Sequence, residues 1–320
     1  MVQTFNAPEA DSGPGVCTLP PDLVIGGEVE AAAVPDLWHI PKATYGPIWD
    51  AGYDGEGETV AICDTGYARH PDLPEPVEAE SFIRGESVED RHGHGTHCSG
   101  TAVGRNGLGF APKAKLVIAK CLSNRGSGST SAIAAAIRWS ADVGATVISL
   151  SLGGGGYSRE THDAIKHAIS KGCVVVCAAG NAGFNGRRDT ISYPALYPEA
   201  ICVGATARNG GIAGFSSGGR AMDVAFPGQS IISAGIRGNY VDMSGTSMAC
   251  PGVSGTSAQV KGDMRRKGVA EYATTDQWRE FWVANSEDRG APGKDPSFGV
   301  GVPTASKIVE SLAARELNYV

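Results

Sequence analysis

The sequence predicts an α/β protein whose central sheet is mostly parallel and covered by helices on both faces. Three observations carry this. Apolar runs recur at Val60–Cys63, Leu116–Cys121, Thr146–Leu150, Val174–Ala178 and Ala200–Ala205, each the length of a buried strand. Helical patterns at Thr130–Val143, Arg159–Ser170 and Ser247–Lys267 alternate with them, as crossover connections between parallel strands require. Finally, 45 glycines without a collagen-like period suit tight turns and close packing of helices on a sheet. There is no internal repeat.

Residues 1–37 are rich in Pro, Gly and acids and predict a loosely ordered N-terminal extension. The catalytic-size domain, 38–320, opens at Tyr45-Gly46-Pro47-Ile48-Trp49. Its first strand, Thr59-Val60-Ala61-Ile62-Cys63-Asp64, ends in an acid before the turn at Gly66. Asp64 therefore falls at a strand's carboxyl end, where open α/β sheets place their chemistry. In His92-Gly93-His94-Gly95-Thr96-His97, the glycines admit unusual backbone, and the small residues that follow suit a tightly packed helix. Within 130–143, Ile133, Ala136 and Ile137 share one face. The strand at 174–178 runs into Ala178-Ala179-Gly180-Asn181. In Ser244-Gly245-Thr246-Ser247-Met248-Ala249-Cys250-Pro251 a loop becomes a helix, with Pro251 expected early enough for its missing N–H to cost little.

The chain has 320 residues, 42% hydrophobic and 19% charged, enough for one large core or at most two. A net charge of −7 argues against a nucleic-acid partner held by a basic surface. No apolar run is long enough to span a membrane. The N-terminus lacks the basic and apolar regions of a signal peptide, although a signal already removed would imply secretion. Eight cysteines (17, 63, 98, 121, 173, 177, 202 and 250) fall mostly inside strands or beside motifs. They read as free core thiols in a reducing compartment, hence an intracellular protein.

Ser247, at a helix N-terminus among small residues, is placed to be a nucleophile whose oxyanion backbone N–H groups stabilise. It needs a base, for which His92, His94 and His97 compete, and an orienting acid, for which Asp64 at its strand's carboxyl end is placed. Singly, each has a structural reading: Asp64 as a turn acid, Ser247 as an N-cap. The spacing His92-x-His94-x-x-His97 also admits a metal, but the H-E-x-x-H pattern is absent.

These segments, D-T-G at Asp64, H-G-T-H at His94 and G-T-S-M-A at Ser247, resemble the three active-site motifs of the subtilisin-like serine proteases (subtilases) and stand in subtilisin's order. The likeness runs from about Pro35 to Ala305. It implies a subtilisin-like three-layer fold and a serine endopeptidase that works through an acyl-enzyme, with Asp64, His94 and Ser247 as triad and Asn181 in the oxyanion hole. The alternative is a catalytically silent, peptide-binding pseudoprotease. Ser151, Leu152 and Gly153, with Gly126, would pair with an extended peptide substrate. Ala178, Ala179, Ser192 and Ala195 would line a roomy, non-acidic pocket suited to large hydrophobic or aromatic residues. No cofactor is required for the chemistry.

The resemblance also implies cation sites. The family's strong calcium loop is short here, Val103–Pro112, and carries Arg105, so that site is expected to be missing, leaving Asp72 without its usual role. A weaker site, for Ca2+ or another cation, would use Pro198, Ala200 and Asp223. Gly252 stands where the family usually has His, so altered packing is expected. Cys98 matches the proteinase K branch. The N-terminal extension is nearest in length to the short pro-segment of intracellular subtilisins, with Thr18-Leu19-Pro20-Pro21 lying in the cleft.

Overall fold

A computed structural model describes residues 15–19, 24–29, 34, 37–154 and 156–314. In chain order the elements are β1 (Val16–Thr18), β2 (Val24–Val29), α1 (Lys42–Asp50), β3 (Thr59–Asp64), β4 (Glu78–Ser81), α2 (His94–Val103), β5 (Lys115–Lys120), β6 (Ser127–Ser129), α3 (Thr130–Asp142) and β7 (Val147–Leu150). There follow α4 (Arg159–Ser170), β8 (Val174–Ala178), β9 (Ile201–Thr206), β10 (Val224–Pro227), β11 (Ile231–Ala234), β12 (Tyr240–Ser244), α5 (Thr246–Arg266), α6 (Thr275–Asn285), β13 (Ser286–Glu287), β14 (Val302–Pro303) and α7 (Ala305–Ala314). Seven strands form one parallel sheet in the order β10-β9-β8-β7-β3-β5-β4. Strand order reverses between the β3-β5 and β3-β7 neighbours, so a crevice opens outside the carboxyl ends of these strands. The five predicted strands and three predicted helices are all present, displaced by at most a residue or two.

Strand alternation divides the core between the two faces. Val60, Ile62, Leu116, Ile118, Val174 and Val176 point to the face covered by α2 and α5. Ala61, Cys63, Val117, Ala119, Val175 and Cys177 point to the face covered by α3 and α4. Each fully buried Val, Ile or Leu contributes about 1.5–3 kcal/mol, so both faces are needed to fix the sheet. The second face also takes Cys121, Cys173 and Cys202 as small apolar fillers. All eight thiols are free and buried.

Helix α5 runs through the core, with every residue from Thr246 to Met264 buried. Only glycine lets α2 and α5 come this close. A Cβ at Gly255 would lie 2.6 Å from the Ala102 carbonyl oxygen; on the side of α2 that meets β11, one at Gly100 would lie 2.2 Å from the Ser233 hydroxyl. The substitution at Gly252 is explained the same way. Phe226 and Phe110 pack edge to face, centroids 5.2 Å apart, and a Cβ at Gly252 would reach 2.5 Å from the Phe226 ring. The two phenyl rings fill the space that a larger side chain would need.

The extension differs from its composition. β1 pairs antiparallel with β6, and β2 pairs antiparallel with β12, so two of its stretches are strands of the folded body. Pro20 and Pro21 lie outside the described residues. α6 also had no clear sequence signal. It begins at a capping box formed by Thr274 and Gln277.

Candidate active site

Asp64 closes β3 at the sheet's carboxyl edge, 1% exposed. His94 opens α2 after Gly93, whose φ of +100° turns the chain into the helix. The His94 Nδ1 lies 2.7 and 2.9 Å from the two Asp64 carboxylate oxygens, and the Thr65 N–H donates to one of them at 2.7 Å. The imidazole is thereby held with its Nδ1–H toward the carboxylate. Its Nε2 is buried and has no hydrogen-bond partner among the described residues.

Ser247 is the second residue of α5, where backbone N–H groups have no intrahelical acceptor. Its hydroxyl donates to the Ser151 carbonyl at 3.2 Å. Pro251 lies deeper in the helix than the sequence suggests, past the first turn. Its missing N–H frees the Ser247 carbonyl oxygen, which accepts instead from the Ser151 hydroxyl at 2.9 Å and the Cys98 thiol at 3.5 Å. The proline thus trades one helical bond for two that tie the serine to β7's exit and to α2.

Asn181 follows β8. Its side-chain oxygen accepts from both the N–H and the hydroxyl of Thr246, each at 2.9 Å. This fixes the amide so that its NH2 group has no partner among the described residues. Asp64, His94, Asn181 and Ser247 therefore come together as the sequence predicts. They leave one acceptor nitrogen, one side-chain donor and a helix N-terminus open.

Sequence reading missed the residues that hold these groups. Asp90 is buried and accepts from the N–H groups of His92, Gly93 and Thr96 and from the hydroxyls of Thr65 and Thr96. Burial alone would raise its carboxyl, but these donors together hold it below its ordinary value. Thr65 in turn accepts from the Gly95 N–H at 2.9 Å, joining the β3 end to the start of α2. The only sequence signal was an acid four residues before His94.

The three histidines do not converge. His97 Nε2–H donates to the carbonyls of Ile231 and Val241, and burial lowers its pKa to about 3. His92 is lowered mainly by burial and then by His94. Among the described residues, the one grouping with metal-ligand spacing is Asp64, His94 and Cys98. Burial raises the Cys98 thiol well above its ordinary value, so it stays protonated and acts as a hydrogen-bond donor.

The predicted recognition residues border the same crevice. Gly153 exchanges both backbone hydrogen bonds with Thr18, at 3.0 and 3.3 Å, and the Gly126 carbonyl accepts from the Leu19 N–H at 2.9 Å. Leu152 is buried in the apolar cluster on the α3/α4 face of the sheet. Ala178, Ala179 and Ala195 are buried. The Ser192 N–H donates to the Ala179 carbonyl at 3.0 Å, and Ser192 abuts Gly153.

The predicted cation ligands Pro198, Ala200 and Asp223 also converge, but on a side chain of the protein. The Arg279 guanidinium donates to all three. Asp72 likewise has partners: Asn106 Nδ2 at 2.6 Å and the Tyr240 hydroxyl.

A parallel α/β sheet that brings a paired acid and imidazole and a serine at a helix N-terminus to its carboxyl edge, bridged by the Cys98 thiol, is the arrangement of a hydrolase of the serine type. Comparison with known proteins is specific. The Subtilase family profile matches residues 55–301. Subtilisin Savinase of Lederbergia lenta is 41% identical over 236 residues, covering 72% of this chain and 85% of that protein. Thermitase of Thermoactinomyces vulgaris is 43% identical over 217 residues, covering 65% and 76%. An alkaline protease of Alkalihalobacillus alcalophilus is 41% identical over 239 residues, covering 73% of this chain and 62% of that protein. The chain belongs to the subtilase family and is a subtilisin-like serine protease.

Proposed function

We propose that the chain is an endopeptidase in which Asp64, His94 and Ser247 form the catalytic triad and Asn181 completes the oxyanion hole. One observation carries this. Among the described residues, the buried His94 Nε2 and the buried Asn181 NH2 both lack partners, while the groups that orient them are hydrogen-bonded. An acceptor and a donor left open near the start of the helix that carries Ser247 suit proton removal and oxyanion capture.

The Ser247 hydroxyl turns from the Ser151 carbonyl to His94 Nε2, gives up its proton and attacks the scissile carbonyl carbon. Asp64 stabilises the imidazolium without accepting the proton. The Asn181 amide and the Ser247 N–H donate to the developing oxyanion. Collapse breaks the C–N bond, His94 returns the proton to the leaving amine, and the acyl group stays on Ser247. Water, activated by His94, then releases it. This chemistry needs no cofactor. Ala178, Ala179, Ser192 and Ala195 give a pocket without acidic groups, which supports cleavage after large hydrophobic or aromatic residues.

Substrate binding is strand addition, and β1 supports this: Thr18 and Leu19 already pair with Gly153 and Gly126 as an extended peptide would. β2 pairs with β12, whose last residue, Ser244, is three before Ser247 in the sequence. The extension thus occupies both flanks of the crevice and acts as a built-in inhibitor. Deleting residues 1–29 should raise activity on peptides; no gain would defeat this part. The eight buried free thiols support an intracellular, reducing location.

The central test is cleavage of a peptide library, with fluorophosphonate labelling, by the wild type and by Ser247→Ala. Labelled, cleaving wild type and a silent variant, with a loss on the order of 10⁶ in kcat as in subtilisin itself, is expected. Folded wild type that neither cleaves nor labels would overturn the proposal.

A further inference from the structure

The cradle formed by Pro198, Ala200 and Asp223 is filled by fixed positive charge. Arg279 Nε donates to Asp223 Oδ1 at 3.0 Å, and its Nη2 donates to the carbonyls of Pro198 at 2.8 Å and Ala200 at 3.1 Å. Lys294 Nζ donates to the same Asp223 oxygen at 3.1 Å, and the Cys202 N–H donates to the other at 3.0 Å. Asp223 is 3% exposed, so its charge needs a partner close by.

The arrangement is built and not incidental. Arg279 stands one turn into α6, whose start is set by the Thr274–Gln277 capping box. The adjacent Thr275 hydroxyl donates to the Glu199 carbonyl at 2.9 Å, in the very turn whose carbonyls Arg279 caps. Helix, turn and guanidinium are thus locked as one unit. A metal ion entering the cradle would have to displace the guanidinium and sit beside the Lys294 ammonium. At the second place where the family implies a cation, Asp72 is similarly closed by Asn106 and Tyr240, and its carbonyl by the Arg105 N–H at 2.7 Å. The donors present therefore do not fit a bound cation at either position.

We propose that Arg279 is a tethered replacement for the cation, so that the folded stability of this subtilase is independent of free metal ions. A dissociable ion stabilises only while its concentration exceeds its Kd, and a chelator removes that stabilisation. A guanidinium carried on α6 cannot be diluted or chelated.

The test uses the full chain carrying Ser247→Ala, which prevents self-cleavage, and follows thermal unfolding. Midpoints in millimolar EDTA, in millimolar CaCl2, in KCl and in choline chloride of equal ionic strength are expected to agree within about 1 °C. Adding Arg279→Ala should lower the midpoint by about 5 °C and make it rise with CaCl2 or KCl, as the opened carboxylate takes its charge from solution. Arg279→Lys, which keeps the charge, should fold, recover part of the loss and remain indifferent to both salts. A parent midpoint that rises with CaCl2 or KCl, or falls with EDTA, would overturn the proposal. So would an Arg279→Ala variant that unfolds with the parent or ignores both salts.

Discussion

Asp64 and Asp223 are both buried carboxylates at the margins of the same parallel sheet, and they have opposite fates. Asp64 ends β3, on the carboxyl edge, and meets an imidazole, a group that can accept a proton and hand it on. Asp223 precedes β10, on the amino edge, and meets a guanidinium and an ammonium that stay charged. A titratable partner leaves a proton to be moved, and hence chemistry. A permanent partner leaves nothing to move, and the pair serves only to fix structure.

Substituting the two acids should separate these roles. Asp64→Asn should lower kcat by about 10⁴, the cost of holding the wrong imidazole tautomer, with little change in unfolding midpoint. Asp223→Asn should leave kcat within a few-fold and lower stability by about 3 kcal/mol, because Arg279 and Lys294 lose their counter-charge. Peptide hydrolysis and denaturant unfolding, read on the same two variants, would erase the distinction if both properties moved together. Asn181→Ala sharpens the catalytic side. It should lower kcat by 10²–10³, the range found for the corresponding subtilisin donor, with KM little changed.

On the structural side, Gly252→Ala brings a methyl to about the Phe226 ring edge, and urea unfolding should show a loss of about 1–3 kcal/mol with the active site intact. The most gradual effect, spread over pH and not tied to one substitution, is on pH dependence. Burial lowers the pKa of His97 and of His39 to about 3, so the folded chain refuses protons that the unfolded chain binds below its ordinary 6.5. Stability should be complete above pH 7 and decline as pH falls toward 5, by up to about 1.4 kcal/mol per unit for each group. Urea titrations of Ser247→Ala across that range check it; a flat profile would mean that these imidazoles are not buried as neutral groups.

Much of this molecule is legible in the chain because its signals are local. Five of the seven strands of the central sheet announce themselves by an apolar run, whereas the edge strand β4, Glu78-Ala79-Glu80-Ser81, does not; Asp64, His94 and Ser247 each lie in a short segment of small neighbours. Pro251 lies past the first turn of α5 and not early in it as its sequence suggests, and its consequence is equally illegible in the chain. That it frees the Ser247 carbonyl for Ser151 and Cys98 depends on elements 96 and 149 residues away. Asp90 gives one weak signal, since an acid near a glycine turn is common, and its five donors come from two separate segments, Thr65 and residues 92–96.

The sequence by itself determined the parallel α/β sheet and the family motifs, and through their resemblance nominated the acid, imidazole, serine and amide of the candidate site. These follow from periodicity and from residues adjacent in the chain. Only the tertiary structure decided that the extension pairs with β6 and β12, that two phenylalanines replace bulk at Gly252, and that a guanidinium takes the cation's place at Asp223. Each of these joins segments far apart in sequence. Arg279 lies 56 residues from Asp223, and no local pattern records a contact that exists only once α6 docks against the turn before β9.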